Sequence, residues 1–177
     1  MITYNSIYFR VFSFLFLVST SVFSSAQVTT FTGIEFTGVF GGTGYDGNFY
    51  TTPSGSESWA GFANEDVNIY PLSFVDGGEI TFTGATAGTD AEVYFRFEYN
   101  PYPDTEPSFN TISVTVSGMD DAPYSIDIPS QGPNTYSSFL LYVTTTDAPV
   151  SLTDVIVTAT FTLTDVDGCT DPLAVDY

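Results

Sequence analysis

Residues 91–99, AEVYFRFEY, alternate without a break: Ala91, Val93, Phe95, Phe97 and Tyr99 fall on one side, Glu92, Tyr94, Arg96 and Glu98 on the other. Side chains on a strand point to opposite faces with period two, so this stretch predicts a strand with one face in a core and the other turned to water or a ligand. A chain holding such a strand must bury its apolar face against a second layer. The outward set carries Arg96, the one basic residue beyond the N-terminal leader. A loop with Pro101, Pro103, Pro107 and the aromatic Tyr102 follows directly.

Shorter runs of the same kind recur between turn residues. They fall at 28–31, 34–40, 48–51, 59–63 and 69–74. The Asp76-Gly77-Gly78 turn is of hairpin type and leads to Ile80 and Phe82. Further on, Ile112, Val114 and Val116 alternate with polar residues, as do Tyr124, Ile126 and Ile128. Residues 137–144 are apolar on both faces and read as a central strand, and Val155, Val157, Ala159, Phe161 and Leu163 share one phase. No window shows the 3-4 spacing of an amphipathic helix. About eight to ten strands make two packed sheets, so the expected fold is all-β, an antiparallel two-sheet β-sandwich or jelly roll.

Residues 1–26 stand apart. Arg10 precedes an apolar run from Val11 to Val18, and Ser24-Ser25-Ala26 supplies small residues for cleavage, the layout of a secretory signal. The run is too short for the ~20 residues of a membrane span, so no membrane insertion is expected. Residues 27–163 then form the β-sandwich module, and residues 164–177 an acidic, turn-rich tail holding Cys169, the one cysteine. An odd cysteine in a secreted chain predicts a partner elsewhere.

The chain holds 21 Asp and Glu against two Arg, with a formal net charge of −19 and no His. Binding to nucleic acid or anionic lipid needs Lys and Arg to neutralise phosphate, and both classes are excluded. Disorder is excluded by an aromatic content of 17% set in alternating runs. Without His or Lys, the commonest general base and the Schiff-base nucleophile are missing, and no serine has a base to activate it. Paired carboxylates of the glycosidase kind are the one catalytic option left, and no E-x-D-x-x-E cluster gathers them on a strand.

Two binding chemistries fit better. Sugars stack on flat aromatic faces and hydrogen-bond to carboxylate, amide and guanidinium groups. Trp59, Tyr94, Tyr99, Tyr102 and Tyr142 supply the first kind; Arg96, Glu92, Glu98 and Asn100 supply the second. Tyr94, Arg96, Glu98, Tyr102 and Trp59 are the expected ligand-binding residues. Tyr94→Ala and Arg96→Ala are expected to weaken binding while leaving the melting temperature nearly unchanged. A hard cation such as calcium takes several oxygen ligands, which Asn64, Glu65 and Asp66, or Asp120 and Asp121, or Asp154 could contribute.

The segments SESWAGFAN (56–64), IYPLSF (69–74), EITFTG (79–84), VYFRFEYNPYPDTEPSFNT (93–111), IPSQGPNTYSSFLLYV (128–143) and DAPVSLTDVIVT (147–158) carry a family likeness. The chain resembles the non-catalytic β-sandwich modules found beside family-sixteen glycoside hydrolases in secreted proteins of marine Bacteroidetes. It is similar, more broadly, to galactose-binding-like jelly rolls, whose closing Asp-Val strand holds a structural calcium. That likeness implies Asp154 and Glu35 as metal ligands. The tail, DGCTDPLAVDY, resembles the start of a cysteine repeat of Bacteroidetes surface proteins. Together these imply a secreted, non-catalytic module that binds an algal glucan or galactan and targets a larger protein to it, with a catalytic or anchoring domain downstream. The alternatives are a structural or adhesive surface domain and, third, a carboxylate-based glycoside hydrolase.

Overall fold

The computed structural model describes residues 24–164. The leader before Ser24, and the tail with Cys169, lie outside them. Two six-stranded antiparallel sheets pack face to face, joined by one short two-stranded ribbon, so the chain folds as the all-β sandwich its alternation predicts.

The first sheet contains β1 (Ser24–Ile34), β3 (Gly44–Tyr45), β4 (Tyr50–Thr51), β7 (Gly78–Thr86), β11 (Ala122–Ile128) and β14 (Val150–Thr164). Its order is β11-β7-β14-β4-β3, with β1 paired to β14. Val150 pairs with both Tyr50 and Thr86, so β7 lies on one side of β14 while β4 and then β1 share the other. Residues 24–26, ahead of the expected cleavage point, are part of β1 and pair with 162–164.

The second sheet contains β2 (Gly38–Phe40), β5 (Gly61–Ala63), β8 (Ala91–Glu98), β9 (Ser108–Asn110), β10 (Val114–Val116) and β13 (Ser138–Val143), in the order β10-β8-β13-β5-β2. Strands β9 and β10 pair with successive halves of one edge of β8. Thr111 bridges the gap between them. Its backbone N–H donates to the Phe95 carbonyl at 2.8 Å, and its Oγ1 accepts from the Phe95 N–H at 3.0 Å. A side chain thus replaces a ladder bond, and no backbone group of Phe95 is left unpaired.

The sandwich interior is aromatic. Phe36, Phe62, Phe74, Phe95, Phe97, Phe139 and Leu141 are fully buried, as are Ile80 and Val157 of the opposing sheet. Phe97 and Phe139 face each other across the β8–β13 ladder with ring centroids 4.3 Å apart. Each such ring contributes roughly 1.5–3 kcal/mol by leaving water.

The structure corrects the sequence reading at several points along these strands. Strand β8 ends at Glu98, and Tyr99 is exposed because its N–H turns to the Thr105 and Pro107 carbonyls of the following loop. Ile112 is exposed, since the edge is broken at 111–113 and only Val114–Val116 form β10. Residues 69–74 are not one strand. A 3-10 turn at Val67–Ile69, capped by the Asp66 side chain on the Asn68 N–H, precedes β6 (Leu72–Ser73), which pairs with β12 (Thr135–Tyr136). It follows that Asp76-Gly77-Gly78 turns the chain without closing a hairpin. Asp76 donates to the Thr160 carbonyl and Gly77 accepts from the Thr160 N–H, handing the chain to β7 beside β14.

Candidate functional site

The outer face of the second sheet carries two cross-strand rows. In the first, Tyr94 of β8 lies opposite Tyr142 of β13, and Phe40 of β2 lies opposite Gly61 of β5. The two tyrosine rings stack at 4.9 Å with an interplanar angle of 5°. Phe40 meets Tyr142 edge-on at 6.1 Å and is parallel to Trp59 at 6.3 Å. Four rings therefore run from β8 past the β2 edge, ending at Trp59, which is 56% exposed.

Two glycines make this row possible. A Cβ on Gly61 would lie 2.8 Å from the Phe40 ring and 3.0 Å from that of Tyr142, so both rings close over a position that holds no side chain. Gly41 has φ +70°, and a Cβ there would sit 2.5 Å from the Ala60 Cα. That approach lets Glu57 donate to the Gly41 carbonyl at 2.8 Å and brings the loop bearing Trp59 down beside Phe40. Left-handed backbone in close contact with another segment is glycine's role.

The second row holds Asn110, Arg96, Leu140, Ala63 and Gly38, opposite one another in register across β9, β8, β13, β5 and β2. Arg96 is committed to protein partners: Nε donates to Glu98 Oε1 at 2.7 Å, Nη1 to Asn110 Oδ1 at 3.0 Å and Nη2 to Ser108 Oγ at 2.8 Å. Glu106 Oε1 lies 3.7 Å from Nη2 and accepts from Ser108 Oγ at 2.8 Å. Glu98 is on the expected outer side but only 7% exposed, with its second oxygen accepting from Ser138. The one cation of the module thus ties β9 and the end of the proline loop to β8.

Burial raises the Tyr142 phenol to about 12, with Tyr94 and Glu98 adding to the rise and Arg96 opposing it. Tyr94 shifts upward as well, chiefly by burial and against the pull of Arg96. Both hydroxyls stay neutral at ordinary pH, able to donate and to accept, and neither is hydrogen-bonded to another described residue.

Of the expected ligand-binding residues, Tyr94, Arg96 and Glu98 share this face, and Trp59 joins it through Phe40 and Tyr142. Tyr102 is 88% exposed in the loop that Glu106 anchors beside Arg96. The aromatic row depends on Phe40, which the sequence reading placed inside one continuous strand, 34–40. The chain breaks after Ile34 and restarts as β2 in the other sheet, and only that turns Phe40 outward.

Asp154, expected to hold calcium with Glu35, lies in the first sheet. Asp154 sits at the β-bulge of β14 with φ 50°, in a depression lined by Thr81, Thr83, Pro123, Tyr124, Ser125 and Ile156. Ile34 pairs with Val155 at the end of β1, so Glu35 and Asp154 are the next residues along the two segments, Glu35 already outside the ladder. Yet Glu35 lines a separate depression with Thr37, Asn64, Glu65 and Asp66, where its backbone carbonyl accepts from the Asn64 side chain at 2.8 Å. Among the described residues no group of three or more Asp, Glu, Cys or His side chains is gathered to hold a metal ion. Among them, too, no helix is long and apolar enough to cross a membrane.

No protein-family model and no curated protein matches the chain. Among solved structures it is similar to a family 29 carbohydrate-binding module from Piromyces equi, with 15% identity and a TM-score of 0.47 over 77% of this chain and 91% of that one. A family 29 variant complexed with cellulohexaose gives 14% identity and a TM-score of 0.47 over 73% of this chain and 91% of that one. The xylan-binding domain of Paenibacillus barcinonensis Xyn10C gives 16% identity and a TM-score of 0.43 over 77% of this chain and 93% of that one.

Proposed function

We propose that the outer face of the second sheet binds polysaccharide without catalysis, and that the domain targets a larger secreted protein to an algal glucan or galactan. The observation that carries this reading is the ring row Tyr94–Tyr142–Phe40–Trp59, which keeps four aromatic side chains on a solvent-facing sheet. Aromatic surface left outside a core marks a recognition site, and the two unpartnered phenols suit hydroxyl-rich ligands. Charge narrows the class. With a net charge of −19, an uncharged glycan is favoured over an anionic one such as alginate.

One observation favours the rival, a spacer domain on the cell surface: Arg96 serves as a structural tie, donating to Glu98, Asn110 and Ser108. Affinity electrophoresis separates the two. Laminarin, agarose or xylan in the gel should retard the domain and alginate should not. Trp59→Ala should lose about tenfold in affinity, equivalent to ~1.4 kcal/mol, at an unchanged melting temperature. Migration unaffected by all four glycans supports the spacer, and release of reducing sugar would mean a hydrolase.

Calcium at Asp154, with Glu35, is proposed as an accessory of the fold and not of the binding face. If it is bound, a chelator lowers the melting temperature and Asp154→Ala removes that difference. Identical melting curves with and without chelator dispose of it.

A further inference from the structure

We infer that glycan is held at one edge of the face, where a single uncharged sugar unit stacks on the outer side of the Trp59 indole and donates hydroxyl hydrogen bonds to the Glu57 carboxylate. This rests on the carbohydrate reading and says which ring of the row meets the ligand, and how much of the ligand it meets.

Stacking a sugar needs a ring face that nothing else covers. Tyr94 and Tyr142 each give a face to the other. Phe40 is enclosed by the Tyr142 ring, the Trp59 ring and Gly61. These three residues are half-buried, and burial is what raises the two phenols. Trp59 closes the row and differs from them. Phe40 lies parallel to it, with an interplanar angle of 5°, against one side. A ring covered on one face and bare on the other is left roughly half exposed, and Trp59 at 56% matches that state.

The ring is also held in place. Residues 57–60 form a turn closed by the Ala60 N–H, which donates to the Glu57 carbonyl at 3.0 Å. The Glu57 N–H donates to the Gly41 carbonyl at 2.8 Å and Ser56 Oγ to that of Gly42 at 3.1 Å, pinning the turn to the glycine segment. A ring fixed before the ligand arrives loses little freedom on binding. Glu57 and Ser58 are exposed in the same turn, and neither side chain is hydrogen-bonded to another described residue. A carboxylate accepts through both oxygens, which suits adjacent hydroxyls of one sugar. Its charge repels acidic or sulfated units. One indole face covers one pyranose ring, so the affinity belongs to a single unit, on the order of 1 mM for a ligand of that size.

Trp59 is the one tryptophan of the chain, so indole emission reports this ring alone. The probes are laminari-, agaro- and xylo-oligosaccharides of two to six units in fluorescence titrations, with laminarin, agarose and xylan in affinity gels. At least one series should shift the Trp59 emission to the blue and saturate. From disaccharide to hexasaccharide the affinity should rise no more than about threefold, the gain from offering three times as many units. Glu57→Ala should weaken binding about tenfold while melting as the wild type does, since only the Glu57 backbone is bonded to the fold. Hexasaccharides that bind ten or more times as tightly as disaccharides overturn the single-unit site, and so does wild-type affinity in Glu57→Ala. Retardation in the gels with no change in Trp59 emission overturns it too and leaves the carbohydrate reading standing. A wild type that none of the polysaccharides retards removes the reading beneath it.

Discussion

Arg96 shows what one side chain does when no other cation can replace it. Its guanidinium spans three strand-borne acceptors, and the Glu98 carboxylate beneath it is nearly enclosed. Removing the cation leaves that carboxylate buried and unpaired, a situation that costs more than the pair itself contributes. Arg96→Ala should therefore lower stability by roughly 2–3 kcal/mol, contrary to the sequence-based expectation of an unchanged melting temperature. Arg96→Ala combined with Glu98→Ala should recover part of the loss, and a double-mutant cycle by chemical denaturation measures it. The sequence marks Arg96 as singular and puts it on the right face. It does not reveal the partners, because Ser108 and Asn110 reach it only after the chain folds back as β9. Trp59 is similar: its ring type is legible, but its place beside Phe40 is set by the approach of Gly41 to Ala60.

At the level of elements, an apolar run on both faces locates β13, and period-two alternation locates β8 and the stretch of β14 from Val155 on, where one face is core. Alternation fails where a side chain or a change of sheet decides the geometry. The gap between β9 and β10 is the clearest case, since Thr111 supplies through its hydroxyl what a ladder would supply through backbone. Thr111→Val leaves the Phe95 N–H without an acceptor in a buried place, and should cost about 1–3 kcal/mol, whereas Thr111→Ser should cost much less. Hydrogen exchange at the Phe95 amide, faster in the valine variant and protected in the serine variant, checks this. Phe97→Ala, which empties the ring stack with Phe139, should cost ~3–5 kcal/mol by denaturant unfolding. A smaller loss would mean that the aromatic core closes around the cavity.

Taken whole, the molecule holds many carboxylates and almost no cations, so its folded form repels itself. Added salt screens that repulsion, and the melting temperature should rise between low ionic strength and about 0.5 M salt before levelling off. Alkali acts oppositely. Tyr50 and Tyr70 are pushed well above the ordinary phenol value by burial, and Tyr142 to about 12. A raised folded-state pKa means that stability is intact below pH 10 and falls as pH climbs through the folded values, because the unfolded phenols ionise first. Melting measured from pH 8 to 12 should be flat and then drop above about pH 10, with Tyr50→Phe reducing the slope. A fall beginning below pH 9 would point to another group.

The near absence of cations has a practical consequence for proteolysis. Trypsin cuts after Lys or Arg, and beyond the leader this chain offers it a single bond, Arg96–Phe97. That bond lies in β8, laddered to β13 on one side and β9 on the other. The native domain should resist trypsin, and every opening that frees β8 should yield the same two fragments.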